Sequence, residues 1–152
     1  LIKKFKYEPF VKELGKSLSS LIIEHFNLID NKPDFTGFTL VPVPLEERRL
    51  KWRGFNQSEE IGKELADFLK INMTSDVLIK TKETLDQVNL DNQERKENIK
   101  NAFSCLALEK IKGKKILLVD DVFTTGSTME EAASVLKEAG AEKIIGIAVA
   151  RG

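Results

Sequence analysis

The stretch from Ile116 to Thr128 constrains the fold of this chain more than any other. It contains an aliphatic run, two adjacent aspartates and a turn of small residues, in the order Ile-Leu-Leu-Val-Asp-Asp-Val-Phe-Thr-Thr-Gly-Ser-Thr. An unbroken aliphatic run is typical of a parallel strand buried on both faces. Beyond the turn, apolar side chains recur at helical spacing until Gly140. The stretch therefore predicts a strand, a turn and a helix of an α/β fold.

The turn in this stretch has the composition of an anion-binding loop. Hydroxyl groups, a flexible glycine and the N–H groups at a helix start all suit phosphate oxygens. Asp120 and Asp121 are expected at the carboxyl end of the strand, where open α/β sheets bind ligands and where carboxylates suit ribose hydroxyls or hydrated Mg²⁺. The alternative is a threonine-capped turn with two solvated aspartates. The predicted phosphate-binding residues are Thr124, Thr125, Gly126, Ser127 and Thr128.

Apolar patterns elsewhere extend the α/β order. They predict an amphipathic helix from Pro9 to about Phe26, strands at 39–44 and 77–80, a helix from Asn56 or Ser58 to about 71, and a buried strand at 143–151. Strands that alternate with helices predict a mainly parallel sheet of about four or five strands, flanked by helices on both faces. The 152 residues fit one domain with a full core.

The loop predicted after the first strand holds the one concentrated positive patch of the sequence. Four cations surround Trp52 and Phe55 in this segment: Arg48, Arg49, Lys51 and Arg53. Guanidinium groups match phosphate oxygens and also stack on bases, so the patch predicts an anion site. A solvated loop with both aromatic side chains in the core is the alternative.

Two segments carry a resemblance to a known family. Val-Asp-Asp-Val-Phe-Thr-Thr-Gly-Ser-Thr resembles the phosphoribosyl pyrophosphate (PRPP) signature of type I phosphoribosyltransferases. Val-Pro-Val-Pro-Leu together with Arg-Arg-Leu-Lys-Trp-Arg-Gly-Phe-Asn-Gln narrows the resemblance to the ComF family of amidophosphoribosyltransferase-like competence proteins, over about residues 1–152. A response-regulator receiver also has an acid pair after its first strand. Here the pair at 120–121 leaves too little chain for the later strands of a receiver.

The resemblance implies a single type I phosphoribosyltransferase-like domain that binds PRPP and Mg²⁺. It would transfer phosphoribose to a nitrogen nucleophile and release pyrophosphate. The catalytic pair Asp120 and Asp121 would hold the ribose hydroxyls, and Mg²⁺ would arrive with PRPP or contact these carboxylates. The 5-phosphate would bind Thr124, Thr125, Gly126, Ser127 and Thr128, and the pyrophosphate side would use Arg48, Arg49 and Arg53.

The polar segment 81–103 stands where phosphoribosyltransferases keep a flexible loop that closes over PRPP. It contains spacings of the family's Thr-x-x-Gln and Arg-x-x-Asn elements, and Arg95 or Lys96 would meet pyrophosphate charge after closure. Considered without the resemblance, residues 93–100 equally predict a solvated helix with i,i+4 charge pairs.

Whole-chain properties restrict the partners. The chain has 24 basic and 24 acidic residues, so net charge provides no general attraction to nucleic acids or membranes. It has no apolar run near the roughly 18 residues that a membrane helix needs.

The single cysteine, Cys105, cannot form an internal disulfide, and we expect a cytoplasmic protein. The only histidine, His25, is expected to complement a helix dipole rather than to act in catalysis.

The resemblance also leaves a second function open. A PRPP- or nucleotide-binding module without turnover would act in DNA uptake or repair through competence proteins, DNA-repair proteins or single-stranded DNA. Trp52 and Phe55 would then stack on bases, although zero net charge predicts weak DNA affinity. Residues 1–152 lack the N-terminal four-cysteine zinc ribbon that is usual in the family. The acceptor substrate and the oligomeric state, including a homodimer, stay open.

Overall fold

The computed structural model describes residues 12, 14–81, 97 and 99–151, which contain five helices and six strands. The elements are α1 (Leu14–Leu28), β1 (Phe38–Pro42), α2 (Glu47–Arg53), α3 (Gln57–Leu69), β2 (Asn72–Met73), β3 (Leu78–Lys80), β4 (Phe103–Cys105), α4 (Leu108–Ile111), β5 (Lys115–Phe123), α5 (Ser127–Glu138) and β6 (Lys143–Arg151).

Four strands form a parallel sheet in the order β2-β1-β5-β6. β1 pairs with β5 as far as Pro42 and Val119, and β5 pairs with β6 as far as Phe123 and Arg151. The chain moves outward from β1 to β2 in one direction and from β5 to β6 in the other. The strand order therefore reverses between β1 and β5. Open α/β sheets bind ligands at the carboxyl ends of the strands beside such a switch point.

Helices cover both faces of this sheet, which confirms the predicted architecture. Successive side chains of a strand point to opposite faces, and alternate residues of β5 enter two separate cores. Ile116 and Leu118 lie in the core that α5 completes, whereas Leu117 and Val119 lie in the core that α1 and α3 complete. All four side chains are fully buried. The aliphatic run of β5 therefore forms a strand covered on both faces, as the sequence predicted, and the structure places it between β1 and β6.

The prediction that the last strand is buried is wrong. Most residues of β6 are half-buried, and Lys143, Gly146 and Arg151 are exposed. The reason is its place in the sheet. Within the described part of the chain β6 is the terminal strand, so β5 is the only strand that covers one of its edges. The composition of β6 alone does not show where in the sheet the strand lies.

The strand predicted at 77–80 does not join the parallel sheet. It forms β3, which pairs antiparallel with β4, so that Leu78 lies opposite Cys105. Val77, Leu78 and Phe103 pack into the core on the α5 side of the sheet. The main sheet therefore has four strands, with a separate two-stranded antiparallel sheet beside it. Cys105 is a free, half-buried thiol on β4.

The N-terminal amphipathic helix is confirmed as α1. It buries Leu18 and Ile22, and it carries His25 in its last turn, where a cation complements the helix dipole. The predicted start of this helix at Pro9 lies outside the described residues. None of the described helices is both long and apolar enough to cross a membrane.

Candidate functional site

The loops that follow β1 and β5 leave the sheet beside each other. β1 ends at Pro42, opposite Val119, and the Val43 N–H then donates to the Val119 carbonyl oxygen at 2.8 Å. β5 continues to Phe123 with β6 as its neighbour. Asp120 is thus the first residue of β5 beyond the end of its pairing with β1. This position is the carboxyl edge at the switch point of the sheet.

The acid pair lies within β5 rather than after it, because the strand extends to Phe123. Asp120 is half-buried, whereas Asp121 is 4% exposed. The Asp121 N–H donates to Asp120 Oδ1 at 2.8 Å, and the Ser58 hydroxyl donates to the same oxygen at 3.0 Å. The two adjacent carboxylates therefore have different surroundings. Asp120 is the member of the pair that is more open to a ligand.

The turn after β5 is built around Gly126, which is the N-cap of α5 and has a φ of 83°. An added Cβ at Gly126 would lie 2.6 Å from Cζ of Phe123, so a glycine is required both by the backbone conformation and by the space. Thr125 Oγ1 and Ser127 Oγ lie 2.8 Å apart, and the Ser127 N–H donates to Thr125 Oγ1 at 3.4 Å. The turn therefore places two hydroxyls together at the N-terminus of a helix.

A threonine hydroxyl accepts one N–H group at the start of this helix, since Thr125 Oγ1 accepts the Ser127 N–H, although Gly126 occupies the N-cap position itself. Thr124, Thr125 and Thr128 are half-buried, whereas Ser127 is buried. All five residues predicted for phosphate binding lie in this one turn and the first turn of α5.

The cationic segment forms a helix, α2, rather than the loop that the sequence predicted. Gly54 ends this helix in a left-handed conformation, with its N–H donating to the Leu50 carbonyl oxygen. Arg48 is exposed, and Arg49 and Arg53 are half-buried. Trp52 is 58% exposed, whereas Phe55 is 7% exposed. The alternative with both aromatic side chains in the core therefore holds for Phe55 only.

Acidic residues of the same segment reduce the positive charge of α2. Arg49 Nε lies 3.8 Å from Oε2 of Glu46, a side chain that is largely buried, and Lys51 Nζ lies 2.6 Å from Oε1 of Glu47. The Lys51 ammonium lowers the pKa of Glu47 below its usual value. The local excess of positive charge is therefore smaller than the number of cations suggests.

Helix α3 contributes a site residue that sequence reasoning missed. The sequence offered Asn56 or Ser58 as the N-cap, and the structure assigns the cap to Asn56, whose side chain accepts the Ser58 N–H. The Ser58 hydroxyl instead contacts Asp120, 62 positions later in the chain. Nothing in the local pattern of residues could have shown this contact. The flexible-loop residues Arg95 and Lys96 lie outside the described residues.

Two comparisons of sequence place the chain among known proteins. A family model described as phosphoribosyl transferase domain matches residues 56–152. Competence protein F of Haemophilus influenzae is 38% identical over 107 residues, which make up 69% of this chain and 46% of that protein. The chain spans about half the length of the curated relatives it matches.

Solved structures show the same fold. The structure of an allosteric regulatory enzyme of purine biosynthesis matches with a TM-score of 0.60 and 18% identity, over 97% of this chain and 30% of that chain. An adenine phosphoribosyltransferase matches with a TM-score of 0.54 and 14% identity, over 93% of this chain and 72% of that chain. At these identities the likeness concerns the fold alone. With the family match and the competence relative, it shows that the chain belongs to the phosphoribosyl transferase family, as a ComF-type member with a type I phosphoribosyltransferase-like fold.

Proposed function

We propose that this chain binds PRPP with Mg²⁺ between β1 and β5 and transfers its phosphoribosyl group to a nitrogen nucleophile. The observation that carries the proposal is that one strand, β5, delivers both a half-buried carboxylate at Asp120 and a hydroxyl-rich turn before α5. A sugar phosphate requires this combination. Its hydroxyls need acceptors, and its phosphate oxygens need N–H and O–H donors.

The turn at 124–128 would hold the 5-phosphate of PRPP. The hydroxyls of Thr125 and Ser127 already lie together there, and Gly126 lets the backbone fold closely over Phe123. α5 has 12 residues, so the positive end of its dipole adds to the attraction for an anion. Thr124 and Thr128 flank this group on either side and complete the set of donors.

Asp120 and Asp121 would serve the ribose. In the transfer, the bond between C1 of ribose and the pyrophosphate oxygen breaks, and pyrophosphate leaves with the bonding electrons. The nitrogen lone pair forms the new bond, and the nitrogen gives up a proton to solvent. Positive charge develops on the ring during this exchange, and an adjacent carboxylate stabilises it. Arg48, Arg49 and Arg53 on α2 would attract the departing pyrophosphate.

Mg²⁺ fits this set of donors as a companion of PRPP. The ion commonly binds one or two carboxylates and substrate phosphates while it keeps several waters. Among the described residues no group of three or more histidine, cysteine, aspartate or glutamate side chains is arranged to hold a metal. Asp120 and Asp121 would be the protein's contribution, and the ion would supply charge neutralisation for the pyrophosphate.

Calorimetric titration of PRPP into the full chain, with and without Mg²⁺, tests the proposal. We expect saturable binding with Mg²⁺, weakened about tenfold or more by Asp120→Asn and by Thr125→Ala, since each removes a charged or hydroxyl contact. Asp67→Asn changes an exposed acid elsewhere on α3 and serves as the matched control. If neither heat nor a thermal shift accompanies PRPP and Mg²⁺, the proposal is wrong.

A second function is favoured by the 58% exposure of Trp52 on the cationic helix α2. An exposed aromatic ring among arginines suits stacking on a base of single-stranded DNA. Fluorescence anisotropy with an oligothymidylate at two salt concentrations tests this function. Affinity that falls steeply with salt and is lost in Trp52→Ala and Arg53→Ala would support it, with the partly exposed Phe68→Ala as a control. Equal affinity for all variants would exclude α2 as the DNA contact.

A further inference from the structure

The start of α3 contains three consecutive polar side chains that are almost completely buried. Asn56 is 8% exposed, Gln57 is 3% exposed and Ser58 is 4% exposed. Burying a polar side chain costs free energy unless it forms hydrogen bonds. The bonds that these side chains form therefore indicate what the burial achieves.

Asn56 joins α3 to the end of β1. Its side-chain amide donates to the Val43 carbonyl oxygen at 3.0 Å, and its Oδ1 accepts the Ser58 N–H at 3.1 Å. Val43 in turn donates its N–H to Val119 of β5 at 2.8 Å. These bonds account for Asn56 as a helix cap. They also hold the first turn of α3 in a defined position relative to β1 and β5.

Ser58 has a different role because its hydroxyl does not bond within its own helix. It donates to Oδ1 of Asp120 at 3.0 Å. The N–H of Asp121 donates to this same oxygen at 2.8 Å. One of these donors belongs to β5 itself and the other to α3, which Asn56 anchors. Two donors that converge on one oxygen from different elements restrict the rotation of the carboxylate.

We propose that Ser58 is a positioning residue that orients the Asp120 carboxylate toward the ribose hydroxyls, an inference that rests on the proposed function. A carboxylate that is already oriented loses less rotational freedom when the sugar binds. Ser58 therefore increases affinity for the ribose part of the ligand. It does not increase affinity for the 5-phosphate, which the turn at 124–128 binds.

Two sugar phosphates that differ by one hydroxyl test this role in the chain of residues 1–152. Wild-type protein should bind ribose 5-phosphate more tightly than 2-deoxyribose 5-phosphate, as measured by NMR titration. In Ser58→Ala the preference should fall about tenfold, because a hydrogen bond to a charged group is lost. Affinity for 2-deoxyribose 5-phosphate should change little. Ser58→Thr keeps a hydroxyl and should restore part of the preference.

Ser19→Ala is the matched control. Ser19 is a helical serine that is 1% exposed, and its hydroxyl donates to the Lys16 carbonyl oxygen in α1, away from Asp120. It should leave the preference unchanged. A crystal structure of Ser58→Ala should also show the Asp120 side chain rotated from its present position.

The outcomes separate this inference from the proposed function. If wild-type protein binds neither sugar phosphate nor PRPP, the proposed function fails and the inference fails with it. If wild-type protein binds both sugar phosphates but Ser58→Ala keeps the wild-type preference, the inference alone is overturned. An equal loss of affinity for both ligands in Ser58→Ala also overturns it, because that result indicates general damage to the site.

Discussion

β5 and β6 are neighbouring parallel strands of nine residues each, and both have aliphatic sequences that predict burial. Their surroundings are nevertheless different. The residues from Ile116 to Val119 of β5 are fully buried, whereas the residues of β6 are half-buried or exposed. β5 lies between β1 and β6, and β6 is terminal among the described strands. Position in the sheet therefore decides how deeply each strand is buried. The similar aliphatic sequences of β5 and β6 do not reveal that position.

Helix α5 also covers β5 and β6 unequally. A groove of about 740 Å³ lies between β6 and α5, with Met129, Ala133, Ile144 and Ala148 among its lining residues. Leu118 and Phe123 of β5 also line this groove, although Leu118 is fully buried. The comparison has a functional counterpart. The doubly covered strand carries Asp120 and leads into the hydroxyl-rich turn, so the candidate site stands on a strand whose residues from Ile116 to Val119 are fully buried.

The largest effect should come from a pair of isoleucines that are direct neighbours across the two strands. Ile116 of β5 lies opposite Ile144 of β6, and both contact the core on the α5 side. Ile116→Ala should lower the free energy of unfolding by about 4 kcal/mol, because the fully buried site leaves a cavity. Ile144→Ala should cost about 1.5 kcal/mol, since part of this side chain already contacts water.

Urea unfolding followed by circular dichroism measures both changes. If Ile116→Ala leaves too little folded protein, Ile116→Val and Ile144→Val give the same ranking on a smaller scale. Equal losses for the two positions would show that β6 is covered in solution as completely as β5. That result would remove the contrast between the two strands.

A pair of glycines should give the next largest effect. Gly126→Ala would place a Cβ 2.6 Å from the Phe123 ring on a backbone with a φ of 83°. The close contact and the left-handed backbone conformation both destabilise the variant. We expect a loss of about 2 kcal/mol in stability, together with weaker PRPP binding. Gly146→Ala on β6 would displace the side chain of Met129, which is flexible and lies beside the groove. It should cost less than about 1 kcal/mol.

Thermal unfolding and PRPP titration of the two alanine variants distinguish the roles of β5 and β6. Gly126→Ala should affect both measurements, and Gly146→Ala should affect stability only. Reduced PRPP affinity in Gly146→Ala as large as that in Gly126→Ala would mean that the β6 side also forms part of the ligand site.

A surface ion pair outside both strands should give the smallest effect. Lys110 Nζ lies 2.6 Å from Asp76 Oδ2, and this contact, with a second hydrogen bond from Thr74, lowers the pKa of Asp76 to about 2. Because the pKa is lowered in the folded state, the stabilisation is present above the unfolded pKa near 4 and is lost as the pH falls toward 2. Both side chains are at least half exposed, so the contribution is small.

Asp76→Asn should therefore lower the urea midpoint slightly at pH 6 and by a smaller amount at pH 3. The difference between wild type and variant is the quantity to compare, because other carboxylates titrate in the same range. A difference that grows as the pH falls would have the wrong sign for this ion pair. Unlike the effects of the isoleucine variants, the effect of Asp76→Asn is not expected to depend on how completely β5 and β6 are covered.

Local patterns predicted the elements that depend on residues close together in the chain. The run from Ile116 to Val119 predicted a strand buried on both faces, and the helical spacing after Thr128 predicted α5. The sequence predicted a loop where the cationic segment forms α2. This helix has only seven residues, and none of its side chains is buried, so its sequence shows no apolar face. Such a short helix has no periodic signal.

Local sequence patterns did not predict the contacts between residues that are far apart in the chain. The antiparallel partner of Leu78 is Cys105, and the partner of Asp120 is Ser58, 62 positions away. The sequence did not show that Asp121 is buried while Asp120 is half-buried, because this difference depends on which elements pack against each face of β5.

The sequence alone predicted the α/β class, the elements β5 and α5, and the residue types that meet at the candidate site. Residue type and spacing along the chain are enough to predict a strand with an acid pair, a turn rich in hydroxyls and a helix. The tertiary structure alone decided which aliphatic strand became central, which aspartate remained accessible and which serine reached it. These outcomes depend on which elements pack against each other, and packing joins residues that are far apart in the chain.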